Sequence, residues 1–252
     1  MCLILLSLCV HPEYPLILAA NRDEFYQRPT APAHFWDDPP DLLAGQDLVA
    51  GGTWLGLHGN GRWAALTNYR EPRAVHGGPS RGQLVLDYLR EAPAPVSPEA
   101  GYNLLYGQGA EIHYRSNRGP GGPLSPGIHG LSNDLLDTPW PKVVRGCQGM
   151  SGLSEPEELF RLLLDQEVPS DEQLPHTGVG LKLERALSPM FIHTPEYGTR
   201  CSTVMRLDRE GRWSFHERRY SSPAPPQGGT WEDSVFCLPE QTVRLADPPG
   251  QG

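Results

Sequence analysis

Residues 2–10 are apolar except for Ser7, and residues 15–20 form a second apolar run beyond His11-Pro12-Glu13-Tyr14. Short unbroken apolar runs of this kind predict strands buried on both faces. Two of them around a four-residue polar break predict a β-hairpin. If Val10 pairs with Pro15, the register carries Cys2 to a place opposite Asp23, give or take two positions, on strands about 5 Å apart.

The pattern predicts further strands at 53–58 and 62–68, joined by the turn Gly59-Asn60-Gly61, and another at 111–115. Later, 202–208 and 213–218 flank Arg209-Glu210-Gly211, which is a hairpin signal, and 230–236 adds a last strand. Helices are announced by their starts. Ser80-Arg81-Gly82-Gln83 and Ser154-Glu155-Pro156-Glu157 read as capping boxes, each followed by an apolar stripe. Thr138-Pro139 predicts a short third helix through Val144. Strands early and late with helices between them suit layered sheets covered by helices. The pattern alone does not select one fold.

Composition narrows the picture. A chain of 252 residues, 38% hydrophobic, is expected to form a single domain over 1–245 with a flexible tail at 246–252. The 28 glycines and 27 prolines imply many turns, and 117–127 and 221–229 read as exposed loops. A net charge of −9 with no basic run excludes nucleic acid as an expected partner. The pair Arg218-Arg219 reads as a solvated strand edge. Five cysteines without Cys-x-x-Cys spacing suggest reduced thiols in a cytoplasm rather than a zinc site or disulfide framework. Nine scattered histidines give no metal-ligand spacing. The run 3–10 is far short of the ~20 residues of a spanning helix, and it lacks the flanks of a signal peptide.

Chemistry concentrates near the N-terminus. Cys2 follows the initiator Met, and removal of Met1 would leave a thiol beside its own α-amine, which can act as its base. Alone, Cys2 reads first as a small buried residue starting a strand. Alone, Asn21-Arg22-Asp23-Glu24 reads as a solvated strand end. The hairpin sets the two against each other. A carboxylate there could orient the amine, and an Asn could donate to a developing oxyanion. Trp36, Trp54, Trp63 and Trp140 would line an apolar pocket if clustered around a cleft.

Met1-Cys2, the block from Leu18 to Tyr26 around Asn21-Arg22-Asp23-Glu24, and Gly51-Gly52-Thr53-Trp54-Leu55-Gly56 closely resemble the Asn-Arg-Asp-Glu family, also called the transport-and-Golgi-organization family. Ala64-Ala65-Leu66-Thr67-Asn68-Tyr69-Arg70, Ser80-Arg81-Gly82, Gly130-Leu131-Ser132-Asn133, Leu136-Asp137-Thr138-Pro139-Trp140 and Tyr197-Gly198-Thr199-Arg200 continue the match in order.

The resemblance implies an α+β fold: the four-layer αββα sandwich of N-terminal nucleophile hydrolases, with mostly antiparallel sheets. Choloylglycine and penicillin V amidases share that fold and cleave amides with an N-terminal Cys. Carried over, Cys2 matches the nucleophile, Asp23 its aspartate, and Asn68 an oxyanion-hole asparagine. Asn133 and Arg200 match the later catalytic Asn and Arg. Those amidases place an Arg where Ala20 stands here, and Arg22 lies on the same strand face. The family is also associated with haem trafficking and with acyl-CoA or lipid handling. The resemblance therefore implies two functions. One is a carrier of haem, acyl-CoA or lipid, with Asn21, Arg22, Asp23, Glu24 and Arg200 at the ligand. The other is a hydrolase of an amide or thioester. Neither requires a cofactor, and haem would be cargo.

Overall fold

The computed structural model describes residues 2–72, 78–92, 97–221 and 229–238. Period-two alternation decides the architecture. In β1 (Cys2–Leu8) the even residues Ile4, Leu6 and Leu8 enter one core, while Leu3 and Leu5 enter another. β2 (Leu16–Phe25) repeats the division, with Leu16 and Leu18 on one side and Ile17 and Ala19 on the other. Then follow β3 (Thr30–Phe35), β4 (Leu42–Asp47), β5 (Leu55–His58), β6 (Arg62–Asn68), α1 (Arg81–Leu89), β7 (Tyr102–Gln108), β8 (Glu111–Ser116), β9 (Gly122–Pro123) and β10 (Gly127–Leu131). The rest is α2 (Pro141–Met150), α3 (Pro156–Leu163), α4 (Leu181–Ala186), β11 (Tyr197–Leu207), β12 (Trp213–Tyr220) and β13 (Trp231–Leu238).

Two antiparallel sheets result, in the orders β10-β1-β2-β11-β12-β13 and β3-β4-β5-β6-β7-β8-β9. Their facing surfaces share a core that includes Leu6, Leu18, Trp63, Leu105 and Phe215. Outside the first sheet, Leu3, Leu5 and Ile17 pack on Val143 of α2 and Phe160 of α3. Outside the second, Ala64, Leu66 and Tyr102 pack on Leu84, Val85 and Leu89 of α1. Each such large side chain contributes roughly 1.5–3 kcal/mol when fully buried. The layers run α-β-β-α, as the family resemblance implied. Among the described residues, no helix is long and apolar enough to cross a membrane.

Several local expectations need correction. The hairpin closes one residue earlier than predicted, where Cys9 N–H donates to the Pro15 carbonyl at 2.8 Å, so Cys2 pairs with Arg22, one position from Asp23 and inside the expected margin of two. β2 does not stop at Ala20, because Asn21, Arg22 and Asp23 continue it and are buried. Ser80 caps α1 without a side-chain hydrogen bond, and Gln83 donates to Asp87 instead. The second box fails similarly: Glu155 is the N-cap, and Glu157 accepts from Arg218. α2 starts at Pro141, two residues past Pro139, and runs to Met150. A second proline, with its φ already fixed for a first helical position, sets that start.

Arg218 is no solvated edge, since it is 6% exposed, ion-paired to Glu157 and Asp233, and stacked between Phe160 and Trp231. The stretch 117–127 is not wholly loop, as Gly122–Pro123 joins the second sheet. All but the ends of the loop at 221–229, and the whole tail at 246–252, lie outside the described residues.

Candidate functional site

β1, β2 and β11 set Cys2, Arg22 and Cys201 in one cross-strand row. Neighbouring side chains on a strand point to opposite faces, so Asn21 turns toward the helix layer while Arg22 turns toward the second sheet. A cleft of about 710 Å³ opens where the first sheet meets the 52–54 loop, the start of α1, and α4. Cys2, Arg22, Asp23 and Glu24 line it from the first sheet, and Trp54 and Asn68 from the second.

Burial pushes the Cys2 thiol pKa up, against the lowering effect of Arg22 and of a hydrogen bond from the Asp23 backbone N–H. Burial also raises the Asp23 carboxyl, opposed by the Lys142 charge, by Thr199 and by Arg22. Thr199 Oγ1 donates to Asp23 Oδ1 at 2.7 Å, and Tyr197 OH donates to the Asp23 carbonyl at 3.0 Å. Lys142 is itself buried, with its pKa pushed down to about 8, chiefly by desolvation. Its Nζ donates to the Leu187 carbonyl at 2.9 Å.

Arg22 stacks on the Trp54 ring at 4.1 Å, and its Nη2 lies 3.9 Å from Glu24. Its Nη1 is buried without a hydrogen-bond partner. Arg28 also lines the cleft, paired to Asp47 at 2.8 Å. Among the tryptophans only Trp54 lines this cleft. Trp63 lies in the inter-sheet core, Trp36 donates to the Ala44 carbonyl, and Trp140 stacks under Arg70.

Three expected site residues stand behind the cleft wall. Asn21 Nδ2 donates to the carbonyls of Leu163 and Met190, both at 2.9 Å, and Ser202 Oγ donates to its Oδ1 at 2.5 Å. Both of its N–H donors are therefore used inside the protein. Asn133, 1% exposed, donates through Nδ2 to the Asn68 carbonyl at 2.8 Å and so positions the strand end that carries Asn68. Arg200 occupies a bulge in β11, where Nη1 donates to the carbonyls of Phe25 at 2.9 Å and Arg28 at 3.1 Å. Lys142, Thr199, Arg28 and Arg81 were not among the expected site residues. Thr199 and Arg81 fall inside the family-like blocks, and Arg81 also in the expected capping box, so a signal was present with no site role attached. Among the described residues, no His, Cys, Asp or Glu cluster is arranged to hold a metal ion.

The family model described as Transport and Golgi organisation 2 matches residues 1–222. The chain is similar to the Transport and Golgi organization protein 2 homolog of Bos taurus, 36% identical over 88% of this chain and 91% of that protein. The Homo sapiens homolog is 37% identical over 81% of this chain and 86% of its own length. The Drosophila melanogaster Transport and Golgi organization protein 2 is 28% identical over 92% and 95%. Among solved structures, a Caenorhabditis elegans N-acylethanolamine-hydrolyzing acid amidase ortholog matches with a TM-score of 0.41 at 11% identity, covering 81% of this chain and 92% of that one. By the family match and the identity to these relatives, the chain belongs to the Transport and Golgi organisation 2 family.

Proposed function

We propose that the cleft holds a small amphipathic anion, of the class that includes haem and acyl-CoA or related lipids, and that the protein carries such a ligand. One observation supports this reading above others. The 710 Å³ cleft sets apolar surface from Phe25, Leu66, Leu183 and Leu187 against the guanidinium groups of Arg22, Arg28 and Arg81. A largely apolar pocket with a few polar groups gives affinity through burial and orientation through the polar end. Guanidinium forks suit carboxylate and phosphate oxygens. With a net charge of −9, long-range attraction for an anion is absent, so local cations supply it. Titration with haem and with palmitoyl-CoA tests the reading, and saturable micromolar binding of one of them is the expected result. Failure of both to bind more tightly than about 100 μM refutes it.

A second reading rests on Cys2, Asp23 and Asn68 lining the same cleft. With Met1 removed, the Cys2 α-amine takes the thiol proton, and Sγ attacks an amide or thioester carbonyl carbon. The tetrahedral oxyanion accepts a hydrogen bond from Asn68, while Asp23 orients the ammonium. Collapse expels the amine or thiol, which takes the proton from the ammonium, and water then hydrolyses acyl-Cys2. Intact mass after incubation with palmitoyl-CoA tests this step. An acyl adduct absent in Cys2→Ala supports it, and turnover by protein that fully retains Met1 refutes it.

A further inference from the structure

The N-terminal end of α1 opens into the same cleft, with Ser80, Arg81 and Gly82 on its lining. Two glycines explain how the helix start comes so close. A Cβ on Gly82 would stand 2.9 Å from the Thr53 carbonyl oxygen, and one on Gly52 would stand 2.8 Å from the Gly82 carbonyl carbon. The N-cap Ser80 makes no side-chain capping bond, and the first turn carries no acidic residue. The first N–H groups of a helix lack acceptors within it, and they form its positive end. Nothing acidic in the turn offsets that end here.

Arg81 adds a formal charge. Its guanidinium donates to the Gly101 carbonyl at 3.3 Å and, among the described residues, has no ion-pair partner, whereas Arg28 is committed to Asp47. Burial lowers the Arg81 pKa, opposed by the nearby Cys2 and Glu24. An independent observation comes from the opposite layer. Arg22 is 6% exposed, lines this cleft, and keeps Nη1 buried with no acceptor. A buried guanidinium N–H left without an acceptor is unfavourable unless a ligand oxygen supplies one.

We propose that Ser80, Arg81 and the N–H groups of Arg81 and Gly82 at the start of α1 form, together with Arg22, an oxyanion subsite that takes the carboxylate or phosphate end of the ligand; the Gln83 N–H is already given to the Ser80 carbonyl at 2.9 Å. This rests on the reading of the cleft as a site for an amphipathic anion, and it assigns which end is held where. Backbone N–H groups at a helix start and a guanidinium fork are the usual partners of such oxygens. The apolar body of the ligand then lies along Leu183 and Leu187 of the α4 wall.

The test follows backbone amide shifts of residues 80–83 during titration with inorganic phosphate and, separately, with acetate. Saturable shifts in the millimolar range are expected with at least one. Saturation by phosphate alone identifies a phosphate site, and saturation by acetate admits a carboxylate. Arg81→Gln is expected to weaken that binding about tenfold. Ser80→Asp is expected to abolish binding while raising Tm, because the new carboxylate caps the helix and fills the site. Arg90→Gln, at the other end of α1, is expected to change neither. The absence of saturable shifts with either anion overturns the proposal, as does wild-type affinity in Arg81→Gln. Palmitoyl-CoA is titrated in parallel. If it binds wild type and both variants alike, the subsite fails and the carrier reading stands. If phosphate saturates residues 80–83 but neither palmitoyl-CoA nor haem binds, the subsite stands and the carrier reading falls.

Discussion

On the helix-facing side of β2, Asn21 bonds the backbone at Leu163 and Met190, and Asp23 is held by Thr199. On the other side, Arg22 lies on Trp54 with one N–H unsatisfied, and Glu24 stands at the cleft. Four consecutive residues thus do two kinds of work, divided by the pleat of the strand. Asn21 ties the wall of residues 187–192 to the sheet through Met190, and Asp23, which also lines the cleft, is braced by Thr199, whose Oγ1 accepts the Ile192 N–H at 2.9 Å. The even positions present charge to a ligand. A motif read as one functional unit is therefore partly architecture.

The largest expected difference between the two faces is in stability. Asn21→Leu strands the buried Leu163 and Met190 carbonyls and leaves the Ser202 hydroxyl only Tyr220 OH, at 2.8 Å, and is expected to cost about 3 kcal/mol in urea unfolding. Arg22→Met removes a desolvated charge that lacks a full set of partners, so its effect is expected to stay within about 1 kcal/mol of zero. Equal losses for the two variants would dissolve the comparison.

Lys142 sharpens it from the helix side. Its pKa is pushed down to about 8 from 10.5. Between those values the unfolded chain binds the proton and the folded protein does not, so stability rises with pH across that window. The fall from 10.5 to about 8 sets an upper bound near 3 kcal/mol on that rise, at about 1.4 kcal/mol per pH unit. Lys142→Met should remove that rise. If wild type and variant share the same pH dependence of Tm between pH 8 and 10.5, Lys142 is not the titrating group.

The N-terminal hairpin was legible because its signal is local: two apolar runs, a polar break, and a register that propagates along the strands. The register was nonetheless one residue out. Cys9 adopts a left-handed φ of 54° and the loop takes one more residue than counted. A slip of one exchanges the faces of every side chain, so it decides whether Cys2 meets Arg22 or Asp23. β6 was readable to the residue, since Arg62–Asn68 alternates between two buried layers. β3 and β4 were not, because Pro32 and Gly45 interrupt what would otherwise be strand-like runs. Gly45 is required instead by Trp54, whose ring would stand 2.5 Å from a Cβ there. α4 has six residues and no cap signal, and only its place beside the cleft marks it. Lys142 could not be found from pattern, since a lysine in a helix reads as exposed. The four-layer order came from the family resemblance rather than from periodicity.

For the cleft-facing side, Arg22→Gln is expected to weaken palmitoyl-CoA or haem binding about tenfold, near 1.4 kcal/mol, through loss of one charge-assisted contact. Asn21→Gln should affect binding only as far as it disturbs the wall. Calorimetric titration of the two variants, each checked for a native Tm, separates direct from indirect loss. Wild-type affinity in Arg22→Gln would move the ligand's anionic end away from β2 altogether.

Glu24 gives the smallest effect and the finest test of the division. Its Oε2 lies 3.9 Å from Arg22 Nη2 and 3.8 Å from Arg28 Nε, while Oε1 accepts the Phe25 N–H at 2.9 Å. Glu24→Gln keeps the acceptor for Phe25 and removes the charge. A partly exposed pair of this kind contributes little to stability, so Tm should barely move. An anion entering the cleft must compete with Glu24 for both guanidinium groups. Removing that competitor is expected to tighten palmitoyl-CoA binding two- to threefold, about 0.5 kcal/mol. Screening sets the salt dependence: the gain should be largest at low ionic strength and shrink past about 0.15 M, where the Debye length falls to about 8 Å. The measurement is the ratio of wild-type to variant Kd across that salt range. If Glu24→Gln instead weakens binding at every salt concentration, Glu24 serves to aim Arg22. The cleft face of β2 would then be held in place by its own internal contacts, just as the helix face is.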